Sequence, residues 1–407
     1  MDSEASPLRL LMVTGIFPPD RGGPASYVPR MAAALTARGR RVEVICLSDR
    51  MDHDDSHLPF PVRRIRRGIF FPFRLLATTF AVWRAACRND LVYINGLSSE
   101  AALGALLAGR RAVHKIVGDY AWERAASKHW FHGTIDDYQV AAKNLMLRFS
   151  DAVRSWPHVF AHEIIVPSHY LARIVQGWGV RPEKVRVIYN AIAADRKTKH
   201  PKPQLPPWSG KTLITVCRLV PWKGVDSMIQ LLPKLPTTRF VIAGDGTIRE
   251  ELEAVARTCG VADRVIFLGD VPHQNVSEYL SQSDAFILNS SYEGLPHVVL
   301  EAMSACIPVI ATNVGGTGEA VIHDRTGLLI PPGNPAALQE AIERLWNEPE
   351  LCARLTGEAA VVLADRFVFE AMLAATDSVL NEAAGRRNGT AMEAPRSNGA
   401  DAKKVSR

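Results

Sequence analysis

Two glutamates stand eight residues apart in the segment Tyr292-Glu293-Gly294-Leu295-Pro296-His297-Val298-Val299-Leu300-Glu301. Gly294 lets a ligand come close to the backbone. Pro296 suits the first turn of a helix, where its missing N–H leaves nothing unpaired. A helix that starts here aims free amides and a partial positive charge at an anion. Glu293, in the loop before it, can reach a sugar hydroxyl. Glu301, about two turns further in, can accept two hydrogen bonds from a diol. The spacing alone also fits two solvent-facing glutamates on a surface helix.

Three more segments carry chemistry. Arg218 and Lys223 lie in Cys217-Arg218-Leu219-Val220-Pro221-Trp222-Lys223-Gly224. Two fixed cations are what a departing diphosphate needs when no metal is present. In Pro18-Pro19-Asp20-Arg21-Gly22-Gly23-Pro24-Ala25, the glycines Gly22 and Gly23 bare their amides toward a phosphate. In Val117-Gly118-Asp119-Tyr120-Ala121-Trp122-Glu123-Arg124, Asp119 either orients an acceptor hydroxyl and takes its proton, or caps the helix that follows. Asp52-His53-Asp54-Asp55 contains a DxD, but it sits in a polar loop with no diphosphate site beside it, and reads as an exposed acidic loop.

The elements that must hold these residues alternate along the chain. Apolar runs at Leu8–Val13, Val42–Leu47, Leu91–Ile94, Val113–Val117, Ile164–Val166 and Val185–Ile188 read as strands, with helical patterns at Val28–Arg38, Tyr138–Phe149 and Tyr170–Trp178. Residues 191–210, rich in Pro and Lys, read as a linker. A second series follows, with strands at Thr212–Cys217, Phe240–Ala243, Val265–Leu268, Ala285–Leu288 and Val309–Ala311 and helices between them. The pattern predicts two α/β domains, each a doubly wound parallel sheet, over 1–190 and 211–365. A C-terminal helix over 366–384 is expected to pack back toward the first domain, and 385–407 to be a disordered tail.

At 407 residues, with 47% hydrophobic and 22% charged, the chain suits two globular domains. Its six cysteines form no CxxC pair and read as reduced thiols, which points to the cytoplasm. The start is acidic, unlike a secretory signal, and no run reaches the ~18 apolar residues of a membrane span. The net charge of +6 is uneven: seven arginines and no acid lie between Phe60 and Asn89. Arginines followed by Phe70, Phe71, Phe73, Phe80 and Trp83 suit the surface of an anionic bilayer, or a basic rim on the cleft. No nucleic-acid motif accompanies them, and no GxGxxG argues for a nicotinamide enzyme.

Glu293 to Met303 resembles the Glu-x7-Glu signature of the family 4 retaining glycosyltransferases. The likeness runs from the first strand to about Ile342, through the Gly22-Gly23 loop, Arg218 and Lys223, Ala243-Gly244-Asp245-Gly246, Phe267-Leu268-Gly269-Asp270-Val271-Pro272 and Val314-Gly315-Gly316. It implies a GT-B fold, two Rossmann-like domains facing across a cleft. It also implies transfer of a hexose-type sugar from a nucleotide-sugar donor to a glycan or lipid-linked acceptor, with retention and without metal or cofactor. The setting would be cell-surface polysaccharide or glycolipid synthesis at the cytoplasmic face of a membrane. By the resemblance, Gly22, Gly23, Arg218, Lys223, Val271, Glu293, Gly294, Leu295 and Glu301 meet the donor, and Glu293, Arg218, Lys223 and Asp119 carry catalysis. Three departures stand out. Cys217 and Cys306 replace usual glycines, and Asp119 lies where the family often has His. A nucleotide-sugar epimerase and a non-catalytic nucleotide-sugar-binding subunit are the alternatives.

Overall fold

The computed structural model describes residues 6–20, 22–192 and 203–385. Most of the expected linker (193–202), Arg21, and the expected tail from 386 on lie outside the described residues.

Seven strands form the first sheet: β1 (Arg9–Thr14), β2 (Arg41–Ser48), β3 (Val62–Arg66), β4 (Leu91–Asn95), β5 (Arg111–Lys115), β6 (Glu163–Val166) and β7 (Val185–Val187). Their order is 3-2-1-4-5-6-7, all parallel. The second sheet holds β8 (Lys211–Val216), β9 (Thr238–Ala243), β10 (Val265–Gly269), β11 (Ala285–Leu288), β12 (Val309–Thr312) and β13 (Leu328–Ile330). Its order is 10-9-8-11-12-13, again parallel. Helices cover both faces of such sheets, so the central strands are apolar nearly throughout: Leu10 to Val13 are all buried. In each sheet the order reverses between two neighbours, β1/β4 and β8/β11. Crevices open there, at the strands' carboxyl ends.

The helices of the first half are α1 (Gly23–Ala37), α2 (Phe71–Ala86), α3 (Ser98–Leu107), α4 (Tyr120–Ser127), α5 (Ile135–Val140), α6 (Leu145–Val159) and α7 (His169–Gln176). Those of the second are α8 (Val225–Leu231), α9 (Arg249–Thr258), α10 (His273–Ser281), α11 (His297–Ser304), α12 (Thr317–Ala320), α13 (Pro335–Asn347), α14 (Pro349–Arg366) and α15 (Phe369–Ala383). The single helix expected over Tyr138–Phe149 is two. A capping box of Thr134 and Asp137 starts α5, and the Asn144 side chain accepts from Leu147 N to start α6 afresh.

Helix α15 returns to the first sheet. Met372, Leu373, Val379, Leu380 and Ala383 are buried in one cluster with Leu10, Met12, Tyr93 and Val113. Arg40–Asp377 and Arg38–Glu370 ion pairs hold it to the neighbourhood of α1.

The arginine-rich stretch holds two elements, β3 and α2, and four of its arginines are engaged, among them Arg74 with the Arg67 carbonyl and Arg88 with Glu43. Arg64 bonds Asp55 and the Pro18 carbonyl, and Arg67 bonds Asp20 and Asp49. Asp55 of the DxD loop therefore has a structural partner, and Asp54 accepts from Ser56 N. Helix α2 turns its small residues inward: Thr78, Thr79, Ala81, Val82, Ala85 and Ala86 are buried. It lies so close to α3 that a Cβ on Gly104 would sit 2.7 Å from Val82 Cγ1. Its large residues face out at helical spacing, with Phe73 65%, Leu76 63%, Phe80 53% and Trp83 37% exposed.

Candidate active site

The loops after β8 and β11 are stitched together, and this is why Lys223 and Glu293 meet. Gly224 has φ 59°, and a Cβ there would sit 2.4 Å from the Asn289 carbonyl, so only glycine fits. Asn289 Nδ2 donates to Gly224 O at 3.0 Å, and Ser291 N donates to Trp222 O at 2.8 Å. Across this seam Lys223 Nζ donates to Glu293 Oε1 at 2.5 Å, and Ser290 Oγ donates to the same oxygen at 2.7 Å. Burial penalises the Lys223 charge. Glu293, with Cys217 and Glu123 behind it, outweighs that penalty and holds the ammonium above its ordinary range.

A cavity of about 300 Å³ opens between the sheets. From the C-terminal side Arg218, Lys223, Glu293, Gly294, Leu295 and His297 line it; from the N-terminal side, Gly23, Tyr27, Asn95, Lys115 and Glu123. The residues come from the first turns of α1, the loops after β8 and β11, the first residue of α11, the ends of β4 and β5, and α4. The cavity thus sits on both switch points. Gly22, at φ 135°, caps α1, whose first turn holds no acid. Its positive pole is therefore not neutralised locally.

The two domains touch around this cavity. Trp122 of α4 stacks edge-on against Tyr292, with centroids 5.0 Å apart, and lies 5.6 Å from Trp222. Ser168 Oγ donates to Gly294 O at 2.6 Å. Glu319 accepts from the His169 and Tyr170 amides, at 2.9 and 2.8 Å. A Cβ on Gly294 would lie 2.5 Å from the Val117 carbonyl, so the close approach that this glycine permits is made by the opposite domain's backbone.

Asp119 is corrected by the structure. It is fully buried, caps α4 by accepting from Ala121 N and Trp122 N, and bonds Arg154 Nη1 at 2.7 Å and Gln139 Nε2 at 3.0 Å. A carboxylate so engaged, and turned from the cavity, is no acceptor base. The acid this segment sends into the cleft is Glu123, one turn on: its Oε2 lies 3.6 Å from Arg218 Nη2. Burial pushes its carboxyl up from the ordinary range, partly countered by Arg218 and Lys223.

Val271 and Glu301 lie outside the wall of this cavity. Near Glu301 lies His273, two residues after Val271, with its Nδ1 3.6 Å from Glu301 Oε1. Lys115 and Asn95 were missed by motif reasoning. Both end buried parallel strands at the carboxyl side, the position where ligands collect. Cys306 is exposed and has φ 56°, in the left-handed region that a glycine adopts without strain and a cysteine does not.

Two parallel-sheet Rossmann-like domains facing across a basic, glutamate-bearing cleft at both switch points have the GT-B architecture. The model described as Glycosyltransferase Family 4 matches residues 21–196, and that described as Glycosyl transferases group 1 matches 196–361. The chain belongs to this family, the group 1, family 4 glycosyltransferases that use nucleotide-sugar donors. It is 29% identical over 404 residues to a glycogen synthase of Mycobacterium tuberculosis, across 91% of this chain and 94% of that protein. A lipopolysaccharide core biosynthesis glycosyltransferase, LpsD of Rhizobium meliloti, is 34% identical over 164 residues, 40% of this chain and 46% of that one. Among solved structures, sucrose-phosphate synthase of Thermosynechococcus elongatus superposes with a TM-score of 0.75 at 21% identity, covering 92% of this chain and 98% of that one. HepE of Anabaena, in complex with UDP and glucose, gives 0.72 at 21% identity, covering 92% and 99%. These likenesses carry the fold.

Proposed function

We propose that this chain transfers a hexose-type sugar from a nucleotide-sugar to a glycan or lipid-linked acceptor, with retention at the anomeric carbon and without a metal. The observation that carries the reading is the Lys223–Glu293 couple in the wall of a cavity set at the switch points of both sheets. The donor diphosphate lies on the amides at Gly22–Gly23 and against Arg218 and Lys223. Val271 and Glu301 hold the nucleoside: the backbone meets the base and the carboxylate the ribose diol. Glu293, Gly294 and Leu295 hold the donor sugar. Lys223 and Ser290 fix one oxygen of Glu293, which orients the carboxylate toward a sugar hydroxyl. As the bond from the anomeric carbon to the phosphate oxygen breaks, the cations take the developing charge. The acceptor hydroxyl attacks from the same face and gives its proton to the leaving phosphate. Glu123, at the acceptor side, orients that hydroxyl.

The test is a panel of UDP-, GDP- and ADP-sugars with EDTA present, read as slow hydrolysis. Turnover of one donor, with the anomeric configuration of the released sugar retained, supports the reading. No turnover of any donor, or an absolute need for a divalent cation, rejects it.

The acceptor side carries a surface that suits a lipid-borne acceptor. The outward stripe of α2 adjoins exposed Leu103, Leu106 and Leu107 of α3, with Arg63, Arg66 and Arg84 exposed nearby in sequence. Rings and leucines enter the interface and arginines meet lipid phosphates, at the cytoplasmic face. Among the described residues no helix is long and apolar enough to cross a membrane. Flotation with anionic vesicles tests the surface: wild type rises with them, and Phe73→Glu with Phe80→Glu stays below. Equal flotation of both rejects it.

A further inference from the structure

The cavity is lined by three basic side chains of Arg or Lys type, and two of them are matched. Lys223 has Glu293, and Arg218 has Glu123. Lys115 is different. It ends β5, is 4% exposed, and its Nζ makes no hydrogen bond to any described residue. Its near neighbour is the Tyr27 ring, 4.5 Å from Nζ to the centroid, and that ring is held by a 2.8 Å bond between the Tyr27 and Tyr93 hydroxyls. A ring face steadies a cation but does not replace its lost hydration. Burial alone draws this ammonium down to about 7. His297, at the start of α11, is drawn down to about 3, by burial first and then by Lys115, Arg30 and His273. Beside Lys115 the wall thus offers a ring face and a neutral imidazole, and no carboxylate among the described residues bonds to Nζ.

Two further buried atoms of the cavity lining have no hydrogen-bond partner among the described residues: Asn190 Oδ1, and Tyr292 Oη from the loop after β11 on the opposite wall. An orphan ammonium needs an anion; an orphan amide oxygen needs a hydroxyl donor. A phosphate-bearing sugar or polyol supplies both.

We propose that Lys115 is the cation of a further anion subsite on the N-terminal wall of the cavity, which takes a phosphate group of a substrate rich in hydroxyls. The assignment rests on the glycosyltransferase reading for the identity of its substrates, though not for the subsite itself. The phosphate comes either from the donor diphosphate, bridging the two domains, or from an anionic acceptor.

The experiment uses the full chain, wild type, Lys115→Met and Lys115→Arg. Inorganic phosphate and inorganic diphosphate are titrated calorimetrically, alone and with saturating UDP, GDP or ADP, and thermal midpoints are recorded alongside. Lys115→Met is expected to weaken binding of one of the two probes tenfold or more, and Lys115→Arg to restore at least part of it. The Met variant should melt no lower than wild type, because it removes an unpaired buried charge. A role confined to packing would instead lower the melting point and leave the probes bound. Binding that persists with nucleotide present assigns the acceptor's phosphate; binding lost to nucleotide assigns the donor's. Unchanged probe affinity in Lys115→Met, or no binding of either probe to wild type, overturns the subsite. The glycosyltransferase reading fails separately, if wild type turns over no nucleotide-sugar.

Discussion

Each side of the cleft has one lysine in its wall and a buried acid close by, Glu293 in the C-terminal wall and Asp119 behind the N-terminal one, and the two sides use them in opposite ways. In the C-terminal wall Lys223 and Glu293 bond to each other at 2.5 Å, because the loops after β8 and β11 are sewn together. Behind the N-terminal wall Asp119 turns inward to Arg154 and the start of α4, and Lys115 is left with a ring face. The same pair of residue types is thus a preset charge couple on one side, and a strut plus an unmet cation on the other. The C-terminal wall is organised before a ligand arrives. The N-terminal wall is completed by one.

Four measurements probe this contrast. The largest effect is expected at the strut. Asp119→Ala strips the cap and the bonds from Gln139 and Arg154, leaving Arg154, itself 5% exposed, with Asp151 at 3.3 Å; the loss should be about 3 kcal/mol or more of stability, read from denaturant midpoints. A variant that folds normally yet transfers nothing would return Asp119 to the chemistry. Next comes Lys223→Ala, expected to lower transfer by on the order of 10²–10³-fold with the fold intact. A loss below about tenfold would mean the preset couple is not what the reaction uses.

A third prediction separates the lysines by the sign of their pH dependence. Lys115 titrates near 7 when folded and at 10.5 when unfolded. Between those values the unfolded chain binds more protons, so this group makes stability rise with pH, by up to about 1.4 kcal/mol per pH unit. Lys223 is raised, so its contribution is full below its unfolded value of 10.5 and is lost as pH rises through its folded value. Comparing stability against pH for wild type and Lys115→Met should show the first slope vanish in the variant; parallel curves would place an unseen partner at Nζ. The smallest effect is the link between walls. Arg218 and Glu123 are 3.6 Å apart and both partly exposed, so a double-mutant cycle of Arg218→Ala and Glu123→Gln on stability should give a coupling of about 1 kcal/mol or less. A coupling above about 2 kcal/mol would make the pair a clasp between domains.

The C-terminal wall was the more legible in sequence. Glu293, Arg218 and Lys223 sit in loops whose glycines and proline are required by the backbone, so their spacing survives as a signature. The N-terminal wall was harder to read. Its acids lie four apart on one segment, and only packing shows that Asp119 points in and Glu123 out. Lys115 belongs to no motif; it is a charge at the end of an apolar strand. β3 was hidden because Val62–Arg66 is an edge strand with three arginines, too polar for an apolar run. α2 was recognised as basic and aromatic, but which face it turned outward depended on how closely Gly104 lets α3 approach.

The return of α15 bears on how the chain is made. The first sheet's core is closed by residues that leave the ribosome only after the whole second sheet. The N-terminal domain cannot bury Leu10, Tyr93 and Val113 fully until Met372 to Ala383 arrive. The order of synthesis and the order of consolidation are therefore reversed. The domain begun first is finished last, and a fragment ending before Phe369 would leave its core open to solvent.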